Sequence, residues 1–190
     1  MMPALRPPST RDEIAAELER VHAATRSFWD AFHSDEFFAP IDDAWSPADN
    51  VRHLVRSVRP LAKAMRLPRL VPRLLFGKAT APSRDFATLV ADYQALLAAG
   101  GKAGRFAPPA LEPTVERATY RRELMHRYDQ AIESLSGTLG GWSEPTLDSA
   151  RLPHPLLGKL TAREMLFFTV YHLAHHARNV ARRRALPPPI

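Results

Sequence analysis

The sequence predicts an all-α protein, most simply a four-helix bundle with a long crossover connection. Three observations carry that prediction. Apolar residues recur at spacings of three and four along four long segments. Ser or Thr cap candidates open three of those segments, and Gly or Pro runs follow several of them. The polar–apolar alternation of a half-buried strand is nowhere convincing. A length of 190 residues suits one domain spanning 1–190.

Residues 1–9 are Pro-rich and expected to fray. The first helix is read in "STRDEIAAELERVHAATRSFWDAF" at 9–32, with Ile14, Leu18, Val21, Thr25 and Phe28 as its inner face. A break with Pro40 and two aspartates follows. "WSPADNVRHLVRSVRPLAKAM" at 45–65 is the second long helix. Ser46 can cap it, Pro47 fits its first position, and Asp49 sits where a capping box wants an acid. Val51, Leu54, Val58, Leu61 and Met65 form its apolar side, and Pro60 is expected to kink it or end it early.

From 66 to 112 the periodicity weakens, punctuated by Pro68, Pro72 and Pro82. "RDFATLVADYQALLAA" at 84–99 reads as a short helix stopped by Gly100-Gly101, before a loop. The third long helical pattern covers 114–136, with Val115, Ala118, Leu124, Tyr128, Ile132 and Leu135 inward. "TLGGWSEPTLDSARLPHPLLGKL" is read as another break. The last helix begins at "TARE", where Thr161 and Glu164 make a capping box, and runs to about Ala185 before Pro187–Pro189.

Composition narrows the function. There is no cysteine, so disulfides, thiolate metal sites and cysteine nucleophiles are excluded. No apolar run approaches the roughly 20 residues a membrane helix needs. The N-terminus lacks the apolar region of a secretory signal. A cytoplasmic protein without membrane partners is the expectation. The net charge is +6, but the 26 Lys and Arg are spread along the chain among 20 acids. The densest cluster, Arg178, Arg182, Arg183 and Arg184, sits at a helix C-terminus, where cations complement the dipole. Aromatic interleaving for base stacking is missing, so nucleic acid is the least favoured partner.

The chemistry concentrates in "YHLAHHAR" at 171–178. At 100° per residue His172 and His176 share one face with Met165, Phe168 and Thr169. His172 and His175 are a second possible pair. Neighbouring His175 and His176 diverge, so both can hardly join His172 on one ion. His-x-x-x-His on a helix can grip a divalent ion, yet the pair alone is better explained by chance. A third ligand must come from another helix. His53 is the best candidate, at the edge of the second helix's apolar stripe, with Asn50 and Ser57 on the same side. A single hydrogen-bonded histidine at the bundle rim is the plainer explanation of that residue. His22 and His126 lack an accompanying ligand, and His33 and His154 lie in or beside loops.

Two motifs in the right order carry a resemblance. "WSPADNVRHLV" is a Trp-Ser-Pro helix start followed by His-Leu, and "LTAREMLFFTVYHLAHHARNV" carries His-x-x-His-His-x-Arg. With the long Pro-rich crossover between them they resemble the DinB-like (DinB/YfiT-like) superfamily of four-helix-bundle metalloenzymes. "HPLLGKLT" likewise resembles the lead-in to the last helix in one branch of it. The resemblance covers about 45–190. It implies a divalent metal, zinc or nickel, held by three histidines, which by position are His53, His172 and His176. Asn179 stands where the family usually has glutamine.

Three imidazoles leave a metal with open positions, as in catalytic sites. The resemblance implies an enzyme of hydrolase or thiol-dependent transferase type. Its partners would be a small-molecule substrate, a low-molecular-weight thiol as cosubstrate, and a second copy in a homodimer. The alternative is a non-catalytic dimerisation or stress-response module that binds metal structurally or incidentally. No general base is visible. Asp42 and Asp43 could reach the bundle mouth but suit a helix N-terminus better. Arg105 and Arg163 could meet an anion, and Tyr171 reads as packing.

Overall fold

The computed structural model describes residues 4–68, 70–110 and 116–190. Four long helices make the bundle: α1 (Arg11–Asp30), α3 (Pro47–Arg66), α6 (Arg117–Leu139) and α8 (Ala162–Arg183). α1 packs on α6 and α8, and α3 packs on the same two helices from the other side. Shorter helices occupy the connections: α2 (Ser34–Phe38), α4 (Leu70–Phe76), α5 (Phe86–Ala98) and α7 (Glu144–Ser149). The crossover between α3 and α6 carries α4, α5 and a 3₁₀ turn at Gly104–Phe106.

The caps form where the sequence places them. Thr10 and Glu13 close a capping box on α1, and Thr161 and Glu164 close one on α8. Ser46 Oγ accepts from Asp49 N at 3.0 Å. Asp49, however, does not complete a box. Its carboxylate accepts from the Ser46 hydroxyl and pairs with Arg52. α5 ends ahead of Gly100, whose φ of +90° lies in the left-handed region. α3 runs on through Pro60 to Arg66. Pro60 is exposed, where water can serve a carbonyl that loses its helical partner.

Ile14, Leu18, Val21 and Thr25 are buried on α1, but the fifth inner position is Trp29 rather than Phe28, which is half-buried. Thr25 is tolerated inside because its hydroxyl donates to Val21 O and lies 2.7 Å from Tyr128 Oη. Val115 lies outside the described residues; Leu124, Tyr128, Ile132 and Leu135 are buried on α6, whereas Ala118 is exposed. Residues 4–9 are tied to α1. Arg6 N donates to Glu17 Oε1 at 2.8 Å, and Pro8 is buried.

The break before α8 also has structure that the periodicity did not show. β1 (Arg151–His154) and β2 (Gly158–Thr161) form an antiparallel hairpin, with His154 opposite Gly158. Its three-residue turn, 155–157, leads into Gly158 at the start of β2, whose φ of +75° is a left-handed position suited to glycine. The strands are too short, and too interrupted by Pro153, to produce a readable alternation. No helix among the described residues is long and apolar enough to cross a membrane.

Candidate metal centre

α3 and α8 pack side by side, and their histidines meet at the seam. His53 Nε2 lies 3.1 Å from His172 Nε2, and His176 Nε2 lies 3.0 Å from the same atom. One nitrogen from each of the three rings falls within 4.8 Å of the others. The i, i+4 spacing on α8 aligns His172 and His176 a turn apart. His53 and His172 are buried and His176 is half-buried.

Hydrogen bonds on the far sides of two rings fix their tautomers. His53 Nδ1 lies 2.9 Å from the carbonyl of Phe106, which can only accept, so Nδ1 carries the proton. Asn50 Nδ2 donates to the Trp45 and Ser46 carbonyls. Its Oδ1 therefore accepts from His176 Nδ1, at 2.7 Å. Both Nε2 atoms then present lone pairs toward His172 Nε2. A single proton on His172 Nε2 can satisfy only one of them. A cation satisfies all three at once, and second-side hydrogen bonds of this kind are how metal-binding imidazoles are normally oriented. Zinc–imidazole bonds of 2.0–2.1 Å would set tetrahedral ligand atoms about 3.3 Å apart, close to the two separations from His172 Nε2, 3.1 and 3.0 Å.

Burial also favours the unprotonated form. It pushes His53 below the ordinary histidine value, against the Phe106 hydrogen bond, which raises it. Burial followed by the neighbouring imidazoles pushes His172 and His176 well below that value. Neutral rings are what a metal requires. Aromatic rings hold the group in place. Trp45 is stacked 6.2 Å from His176 and lies 5.1 Å from His53, and Phe168 stacks on His172 at 4.6 Å.

His175 is not part of the triad. Its Nδ1 lies 3.3 Å from Tyr171 Oη, which receives a hydrogen bond from Gln94. Its Nε2 lies 2.9 Å from Asn179 Nδ2. Asn179, the residue that departs from the family pattern, thus holds the one histidine of "HLAHH" left outside the triad. Tyr171 is buried in this network rather than merely packed.

A cavity of about 330 Å³ opens onto the triad. That is the small end of the range for small-molecule sites. Val58, Leu61, Leu97, Leu152, Met165 and Phe168 supply apolar wall, and Lys102 and Arg105 supply positive charge. Among the described residues no Asp or Glu lines it. Asp42 and Asp43 are exposed away from it, with Asp43 3.8 Å from Arg183. Arg105 lines the cavity; Arg163 does not. Arg163 is buried against Glu144, Asp148 and the Ser9 carbonyl, so it ties the N-terminal segment and α7 to α8.

Of the remaining histidines, His22 pairs with Asp129, His33 is the exposed N-cap position of α2, and His126 is exposed. His154 differs, being buried in the cavity wall. Sequence reasoning also missed Tyr93, which touches His154, Phe168 and His172. The Phe106 carbonyl was missed because a backbone acceptor leaves no residue-type signal.

A family model described as the DinB superfamily matches residues 17–180. The chain belongs to the DinB superfamily. All three triad histidines of this DinB-superfamily chain fall within the match. Two solved structures share its fold. One is "TT2238, a four-helix bundle protein", with TM-score 0.58 and 19% identity, covering 91% of this chain and 99% of that one. The other is YfiT from Bacillus subtilis, described as "a probable metal-dependent hydrolase with an unusual four-helix bundle topology". Its TM-score is 0.56 at 15% identity, covering 98% of this chain and 95% of that one. A search of curated proteins finds no match to this chain.

Proposed function

We propose that this DinB-superfamily chain is a metal-dependent enzyme in which His53, His172 and His176 hold one divalent ion, zinc or nickel. The observation that carries the reading is the convergence of three neutral imidazole nitrogens, two with fixed lone pairs, at one end of an apolar cavity. YfiT's description as a probable metal-dependent hydrolase supports it. When bound, such an ion polarises a carbonyl or lowers the pKa of water or a thiol that it holds. The reaction is accordingly of hydrolase or thiol-dependent transferase type, with a low-molecular-weight thiol as cosubstrate in the second case.

The chain's own residues bind and orient. Phe106 O and Asn50 fix the triad rings. The apolar walls exclude water around the reacting group, which strengthens every charge interaction there. Lys102 and Arg105 draw an anionic substrate. Among the described residues of the lining, the groups that can pass a proton include the imidazoles and the hydroxyls of Ser57, Tyr93 and Thr169, and no carboxylate. A purely structural ion would not need a substrate-sized cavity against its ligands, which favours an enzyme over a non-catalytic module. A homodimer in the cytoplasm is the proposed setting.

Elemental analysis after zinc or nickel loading tests the reading. Wild type should carry one ion per chain, and His172→Ala should carry none while remaining helical by circular dichroism. Equal metal content in the two proteins would overturn it.

A further inference from the structure

His154 begins from an unusual position for a buried histidine. It ends β1, immediately before the hairpin turn, and is 8% exposed. Its Nδ1 accepts from two backbone amides, Leu156 N at 3.2 Å and Leu157 N at 3.0 Å. That is the pattern by which Asn and Asp side chains close turns. An Nδ1 that accepts from two N–H groups cannot carry a proton, so in the neutral ring the proton sits on Nε2. Burial holds the ring neutral, with its pKa pushed down to about 4.

Nε2, on the opposite edge of the ring, has no hydrogen-bond partner among the described residues, and it is not among the fully enclosed unpartnered atoms. The ring forms part of the cavity wall. It lies 4.3 Å from Phe168, which in turn stacks on His172. Phe168 therefore stands between His154 and the triad. An N–H in a cavity wall that no described protein group receives, and that is not fully enclosed, is a ready donor to an acceptor the cavity admits.

We infer that His154 is a substrate-recognition residue whose Nε2–H donates to a carbonyl or carboxylate oxygen of a small, apolar-bodied ligand. The surroundings agree. The walls are largely apolar, and among the described residues Lys102 and Arg105 are the charged groups of the lining and no acid is present to attract an amine. The ligand's acceptor oxygen sits at the hairpin side, with Phe168 between it and the triad. This inference deepens the proposed function by naming the substrate class of the same cavity, but its geometry does not depend on a metal.

The experiment uses the full chain stripped of metal, with hexanoate, hexanamide and hexylamine as probes. His154→Asn is the informative variant. Its Oδ1 takes the place of Nδ1 as acceptor for Leu156 and Leu157, so the turn persists, while the Nε2–H is lost. Nitrogen-15 NMR of wild type should show His154 with the proton on Nε2, and hexanoate or hexanamide should shift that resonance. Both should bind at least tenfold more tightly than hexylamine. His154→Asn, with an unchanged melting temperature, should bind them about tenfold or more weakly. A proton on Nδ1, no binding of either acceptor probe, preference for hexylamine, or equal binding by wild type and His154→Asn would each overturn the inference. Metal content is measured separately, so loss of metal binding with retained probe recognition would sink the proposed function and leave this inference standing.

Discussion

Asn50→Ala is the sharpest perturbation of the centre that spares its ligands. Asn50 is 6% exposed and makes three hydrogen bonds. Two, from Nδ2 to Trp45 O and Ser46 O, tie the side chain to the two residues that lead into α3. The third receives His176 Nδ1–H at 2.7 Å and holds Nε2 unprotonated toward His172. Alanine removes the acceptor and leaves a donor on His176 without a protein partner. Loss of such a support typically weakens metal affinity by about 10–100-fold, or about 1.4–2.7 kcal/mol. An independent figure, about 1–3 kcal/mol for stranding a buried hydrogen-bonding group, falls in the same range. Competition for zinc against a chelator of known affinity reads the change directly. Asn50→Asp keeps an acceptor for His176 and should recover most of the affinity, which separates orientation from loss of packing. A folded Asn50→Ala protein within about threefold of wild type would refute the orienting role.

Metal-free protein should lose stability on mild acidification. Burial holds His154 and His175 near pKa 4, against an unfolded value of about 6.5. Below the unfolded value the unfolded chain takes up protons that the folded chain resists. Each ring then removes up to about 1.4 kcal/mol per pH unit, with the loss levelling off below about pH 4. Urea midpoints at pH 7.5, 6 and 5 in the presence of chelator should fall steadily, and a flat series would contradict the neutral buried rings. Thr161→Ala removes the cap of the helix that supplies two of the three histidines. Thr161 Oγ1 accepts from Glu164 N, and Glu164 accepts from Thr161 N. Denaturant unfolding should show a loss of about 0.5–2 kcal/mol, with one metal per chain retained.

The long helices were legible because their signals are local: apolar spacing, caps and stops all lie within a few residues of one another. Even so, spacing alone could not choose between Phe28 and Trp29, adjacent residues on the edge of one stripe. Packing against the neighbouring helices put Trp29 inside. The hairpin was illegible for a related reason. Four-residue strands contain barely two periods of alternation, and Pro153 interrupts one of them. The triad was only half legible. Spacing offered His172 with either His175 or His176, and the family resemblance implied His53 with His176. What groups these three is the α3–α8 contact, which joins residues 119 apart. His154 was passed over because its interest lies in burial and in two backbone amides, and neither is visible in a residue type.

The three nitrogens come from α3 and α8, but much of their setting comes from the segments least readable in the sequence. The crossover supplies Phe106 O, which orients His53, and Lys102, Arg105, Tyr93 and Leu97 in the cavity wall. The hairpin supplies His154 and Leu152. A helix pair can therefore keep one donor set while the connecting segments change what the cavity admits. This division predicts different consequences for different changes. Substitution at His53, His172 or His176 should abolish metal binding whatever probe is used. Substitution at His154 should change which probes bind at constant metal content. Phe106 couples the two roles, because the loop that shapes the cavity mouth also fixes the tautomer of a ligand. A crossover variant that displaces this carbonyl should therefore alter metal affinity and probe selectivity together, which changes in the hairpin's part of the wall should not do.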